Sequence, residues 1–114
     1  MQELLFLMPR RPPRSAPLPN PFEPLEGPIA EVVDLHGYRG DEARMRVVSV
    51  LTSFHRRNRG ELVHIITGKG RRSIGAPVLR SRIKTVLQAE LGAIIKAFGT
   101  DLDEGGWLVR LKMR

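Results

Sequence analysis

The sequence predicts an α/β domain in two layers, with element order β-α-β-α-β-β: a four-stranded mixed sheet carrying two helices on one face. Three observations lead there. Short apolar runs, each with one consistently apolar side at period two, recur four times after residue 30. Segments with helical apolar spacing fill the first two gaps between them. Two β-α-β crossovers of the usual right hand then put both helices over the same side of one sheet.

The first strand runs from Glu31 to His36 and is closed by Gly37. A helix from about Asp41 to Asn58 follows, with Asp41 as the expected N-cap and Glu42 in the favourable first turn. Its apolar stripe is Ala43, Val47, Val50, Leu51 and Phe54, and Asn58-Arg59-Gly60 ends it. Leu62 to Ile66 is the second strand. A glycine-spaced basic loop leads to a second helix, from Pro77 to about Leu91, with proline well suited to its first turn. Ile94 to Phe98 and Trp107 to Lys112 complete the sheet. By alternation, Val33, Leu35, Val63, Ile65, Ile95, Ala97, Val109 and Leu111 belong under the helices. Asp34, His36, His64, Lys96, Arg110 and Lys112 belong on the open, basic side.

At 114 residues the chain suits one domain with a modest core. No apolar stretch approaches the roughly 18 residues of a membrane span, and with no cysteine, disulfides and thiolate metal sites are excluded. A cytoplasmic protein is expected. Residues 1–28 hold eight of the nine prolines and read as an extended arm preceding a domain at 29–114. Net charge is +7, and residues 1–26 contribute none of it. The excess sits on the folded part and is mostly arginine, which suits bidentate contacts to phosphate. A polyanionic partner is expected, and a monomer is the default state.

Two stretches carry chemistry. Asp34 and His36 leave the carboxyl end of the first strand, and Thr67-Gly68-Lys69-Gly70-Arg71-Arg72 leaves that of the second. Ligands of open α/β sheets gather outside those ends. His36 can move a proton near neutral pH, with Asp34 to orient it. Lys69 and the Gly68–Gly70 amides can hold charge growing on phosphorus, while Arg71, Arg72 and Arg110 would guide the strand. Taken singly, an Asp-x-His-Gly run can be a strand-end cap and a Gly-Lys-Gly loop a turn needing positive φ. The spacing is not that of a Walker loop. An RNA substrate would supply its own 2′-hydroxyl nucleophile, so no cofactor is required and a divalent cation such as Mg is left open. His64 reads as a packed or surface strand residue, and Trp107 and Phe98 as packing rather than base-stacking platforms.

Val33-Asp34-Leu35-His36-Gly37, Asp41-Glu42-Ala43, Ile65-Ile66-Thr67-Gly68-Lys69-Gly70, Ser73, Val78-Leu79-Arg80 and Gly105-Gly106 with Val109-Arg110-Leu111-Lys112 together resemble the Smr (small MutS-related) domain, over about Glu31 to Lys112. The resemblance implies a fold similar to the C-terminal domain of bacterial translation initiation factor three. It also implies a nucleic-acid-binding and often endonucleolytic activity, linked to DNA recombination and repair or to mRNA cleavage on ribosomes. The family's functional elements map onto Asp34, His36, Thr67, Gly68, Lys69 and Gly70. A short stand-alone member is expected. The alternatives are a non-catalytic module that binds nucleic acid or the ribosome, and an adaptor working through the proline-rich arm.

Overall fold

In sheet order the strands run β1 (Ile29–Asp34), β2 (Leu62–Ile66), β4 (Gly106–Leu111) and β3 (Ile95–Thr100). β1 and β2 are parallel, and β4 lies antiparallel between β2 and β3. This is a computed structural model, and it describes residues 24–68, 76–101 and 105–114. The parallel pair needs a crossover, which α1 (Gly40–Arg56) supplies; α2 (Ala76–Thr85) begins the second. The apolar stripes of both helices join Val33, Ile65, Val109 and Leu111 in one cluster. Both helices therefore cover one side of the sheet, and a mixed α/β sandwich results.

The hydrophobic pattern explains most of this arrangement. Val33, Leu35, Val63, Ile65, Val109 and Leu111 are buried under Ala43, Val47 and Leu51 of α1 and Leu79 and Ile83 of α2. Phe98 and Trp107 meet edge-to-face at 5.6 Å between centroids, as core packing rather than an exposed platform.

Alternation fails in β3. The register slips between Ile95 and Ala97, so Lys96 is an extra residue and the strand's sides exchange beyond it. Phe98, opposite Val109, then turns to the core, and Ala97, opposite Arg110, turns away from it. A bulge is invisible to a period-two argument.

Two helix ends also differ from the sequence expectation. The N-cap of α1 is Arg39, not Asp41. Its backbone N–H donates to Glu42 Oε1 at 3.1 Å, so the carboxylate at the third helical position closes the end from inside. The second helix is not regular to Leu91. After Thr85 it widens into a π turn, Val86–Glu90, with Leu91 N–H donating to the Val86 carbonyl at 3.0 Å. The widening keeps Val86, Leu87 and Leu91 all inward.

That turn is tied to α1 by Arg44. Its Nε and Nη2 donate to the Glu90 carboxylate at 2.8 and 2.6 Å. The hydrogen bond from Arg44 holds the Glu90 carboxyl below its ordinary pKa. A depressed carboxylate stabilises the fold above its unfolded pKa, and that stabilisation is lost as pH falls through the folded value. Thermal melts should therefore show wild type losing more stability than Glu90→Gln between about pH 6 and about pH 3. Equal losses would mean that the pair contributes nothing.

The open face is not a row of free cations. Arg110 donates from Nε to the Pro24 carbonyl at 2.7 Å, from Nη1 to that of Gly60 at 2.8 Å and from Nη2 to that of Glu26 at 2.6 Å. Leu25 packs on Gly99, where any Cβ would come within 2.8 Å of Leu25 Cδ1. The last residues of the proline-rich segment thus cross the sheet. Residues 1–23 of that segment lie outside the described residues.

Candidate functional site

β1 and β2 end side by side. Asp34 pairs with Ile66, and Leu35 N–H donates to the Ile66 carbonyl at 2.7 Å. The two motifs therefore leave the sheet from one rim, because parallel neighbours point their carboxyl ends the same way.

On the first side of the rim, Leu35 is fully buried and anchors a tight turn closed by Tyr38 N–H on the Leu35 carbonyl at 2.9 Å. Gly37 turns with φ +81°, a conformation that favours glycine. The turn holds His36 outward, with its side chain 74% exposed. Asp34 Oδ1 accepts two bonds from it, from the backbone N–H at 3.1 Å and from Nδ1 at 2.8 Å. A carboxylate only accepts, so in the neutral imidazole the proton sits on Nδ1 and the lone pair on Nε2. Nε2 has no partner among the described residues, and that lone pair is able to take a proton.

On the second side, Thr67 is buried, and its hydroxyl donates to the Gly105 carbonyl at 3.1 Å. The backbone N–H groups of Thr67 and Gly68 donate to the same oxygen at 2.9 and 3.2 Å. Thr67 and the Gly68 amide therefore anchor the start of the loop, and their donors are turned away from a ligand. Gly68 has φ +151°, which side chains rarely tolerate, and there the chain swings out of the strand. Lys69, Gly70, Arg71 and Arg72 lie outside the described residues.

The anchor has its own support, which the sequence did not signal. Gly105 N–H donates to Asp101 Oδ1 at 2.9 Å. Asp101 Oδ2 accepts from His64 Nε2 at 2.8 Å, in a largely sheltered pair on the open face. His64 thus reaches the rim indirectly, through Asp101, Gly105 and Thr67. Only the consecutive glycines hinted at this: Gly106 is where β4 comes so near to β2 that a Cβ would lie 1.9 Å from the Ile65 carbonyl oxygen.

A family model for the Smr domain matches residues 33–109, which is most of the chain. The chain belongs to the Smr family. In this Smr domain the match begins at Val33, beside Asp34, and ends at Val109 in β4, so it takes in both sides of the rim and the glycine pair that braces it. No curated protein and no solved structure gives a significant match.

Of the residues expected at the site, Asp34, His36, Thr67 and Gly68 are brought to one rim. Arg110 is not. It pairs with Leu62 at the opposite end of β2, and its guanidinium is engaged by main-chain carbonyls. Among the described residues no group of three or more His, Asp or Glu is arranged to hold a metal, and no helix is long and apolar enough to cross a membrane.

Proposed function

We propose that this Smr domain is an endonuclease that cleaves phosphodiester bonds in DNA or RNA, with His36 as the proton-transfer group. The observation that carries the reading is the exposed Asp34–His36 pair, its lone pair outward, at the rim where β2 ends and Gly68 follows with φ +151°. Smr domains are known for nucleic-acid binding and nuclease activity.

On this reading His36 Nε2 accepts the proton of the attacking hydroxyl, a ribose 2′-OH in RNA or water in DNA. The new O–P bond forms as the 5′-oxygen leaves, and that oxygen is protonated from solvent. Asp34 stabilises the imidazolium that appears. Lys69 and the loop amides beyond Gly68 offset the charge growing on the phosphoryl oxygens. Arg71 and Arg72 hold neighbouring phosphates.

The test is incubation of the purified chain with end-labelled single- and double-stranded DNA and RNA, with and without divalent ions. Products are expected from at least one of them. Binding without products across all conditions would leave a non-catalytic module for nucleic acid or the ribosome instead. Affinity should also depend on salt. Three single-strand phosphate contacts would cost more than about tenfold between about 50 and about 200 mM salt. A flat response, read by anisotropy, would remove phosphate recognition from the account.

A further inference from the structure

Arg80 sits early in α2, the helix entered from the glycine loop. Its guanidinium lies over the indole of Trp107, with Cζ 4.1 Å from the ring centroid. Trp107 Nε1–H donates back to the Arg80 carbonyl at 3.1 Å, which locks ring and helix together. Nε and Nη2 of Arg80 are buried and have no hydrogen-bond partner among the described residues. Stacking on a ring orients a guanidinium but satisfies neither N–H.

The two empty positions are not arbitrary. Nε and Nη2 form one of the forked edges of the guanidinium, with parallel N–H bonds that match two oxygens of a phosphate. Two other arginines of the chain show the edge occupied: Arg44 places it on the Glu90 carboxylate, and Arg110 on the Pro24 and Glu26 carbonyls. In Arg80 it is vacant, and a buried donor left unmade is costly to the fold. Its place is telling too. Trp107 directly follows Gly106, which pairs with Ile66 at the end of β2, so the stack lies beside the rim on the helix side of the sheet.

We propose that this edge of Arg80 is an oxyanion subsite for a phosphodiester of the bound strand, with Trp107 as the platform that fixes its direction. The strand's identity rests on the nuclease reading; the anion site itself does not. Both donors are closed to solvent in the free protein, so a phosphate engages them by displacing what covers them.

Trp107 is the chain's one tryptophan, so its emission reports on the site directly. Emission should change saturably on titration with a single-stranded oligonucleotide and with inorganic phosphate, against sodium chloride of matched ionic strength. Arg80→Gln should abolish the change and weaken oligonucleotide binding about tenfold or more, and Arg80→Lys should not restore it, because an ammonium cannot fork. Lys84→Gln, which removes one exposed charge from the same helix, should alter binding less than about twofold. Arg80→Met should melt no lower than wild type, since two unpartnered donors go with it. A residue kept only for structure would give the opposite result. Wild-type affinity in Arg80→Gln and Arg80→Lys overturns the proposal, as does static emission while anisotropy reports binding. If no oligonucleotide binds, the nuclease reading fails by itself. The phosphate titration then decides: a response lost in Arg80→Gln upholds the subsite, and no response ends it.

Discussion

Replacing Gly106 by alanine should unfold the domain or bring it close to unfolding. The added Cβ would lie 1.9 Å from the Ile65 carbonyl oxygen and 2.9 Å from Ile66 Cα. Both obstacles are backbone of the central strand, so no side chain can swing aside. Relief requires β4 to move off β2. That movement breaks the ladder at its rim end and carries away Gly105, whose carbonyl holds Thr67 and Gly68. A loss of more than about 4 kcal/mol is expected, against a total stability of about 5–15 kcal/mol for a domain. Urea denaturation followed by circular dichroism measures it. Gly92→Ala is the control, because a Cβ there meets nothing within 4 Å. Its effect should stay within about 1 kcal/mol. A Gly106→Ala protein as stable as wild type would show that the two strands do not approach so closely.

His36→Ala should lower cleavage by about 10²- to 10⁴-fold while leaving affinity for the same oligonucleotide within a few-fold. The side chain is 74% exposed and hydrogen-bonds only to its neighbour Asp34 among the described residues, so stability should change by less than about 0.5 kcal/mol. Asp34→Asn should also be slow. An amide can take the place of one carboxylate oxygen, but it cannot stabilise the imidazolium and can present the wrong group to Nδ1. Single-turnover cleavage separates the two effects, with binding measured in parallel. Undiminished cleavage by His36→Ala would take the chemistry away from this pair, whatever the strand affinity.

The fold was largely readable from residue patterns, because burial on one face forces alternation and helical spacing to agree. Val33 with Leu35, Val63 with Ile65, and Val109 with Leu111 told the same story. Lys96 broke it in β3, since one inserted residue leaves no compositional trace yet exchanges a strand's sides. The π turn escaped notice for a related reason: Val86, Leu87 and Leu91 fit a regular helix about as well as a widened one. At the site, Asp34 and His36 were legible because two residues within one turn need no knowledge of tertiary structure. The setting of Thr67 was not legible, because which way its hydroxyl turns depends on Gly105, 38 positions further along. The setting of Arg110 was hidden likewise, since nothing local shows that Pro24 and Glu26 come to meet it. The setting of Arg80 was hidden too, since nothing local shows that Trp107 comes to lie beneath it.

Arg110 grips the main chain of Pro24 and Glu26 where β2 begins and β4 finishes, whereas Thr67 continues from the other end of β2. The tether point and the rim that carries His36 are therefore set at opposite poles, separated by the length of a five-residue strand, roughly 16 Å at about 3.3 Å per residue. Moored through its leader to a large assembly or a solid support, the domain would face a passing polymer with the His36 rim outward, so anchorage and access need not compete.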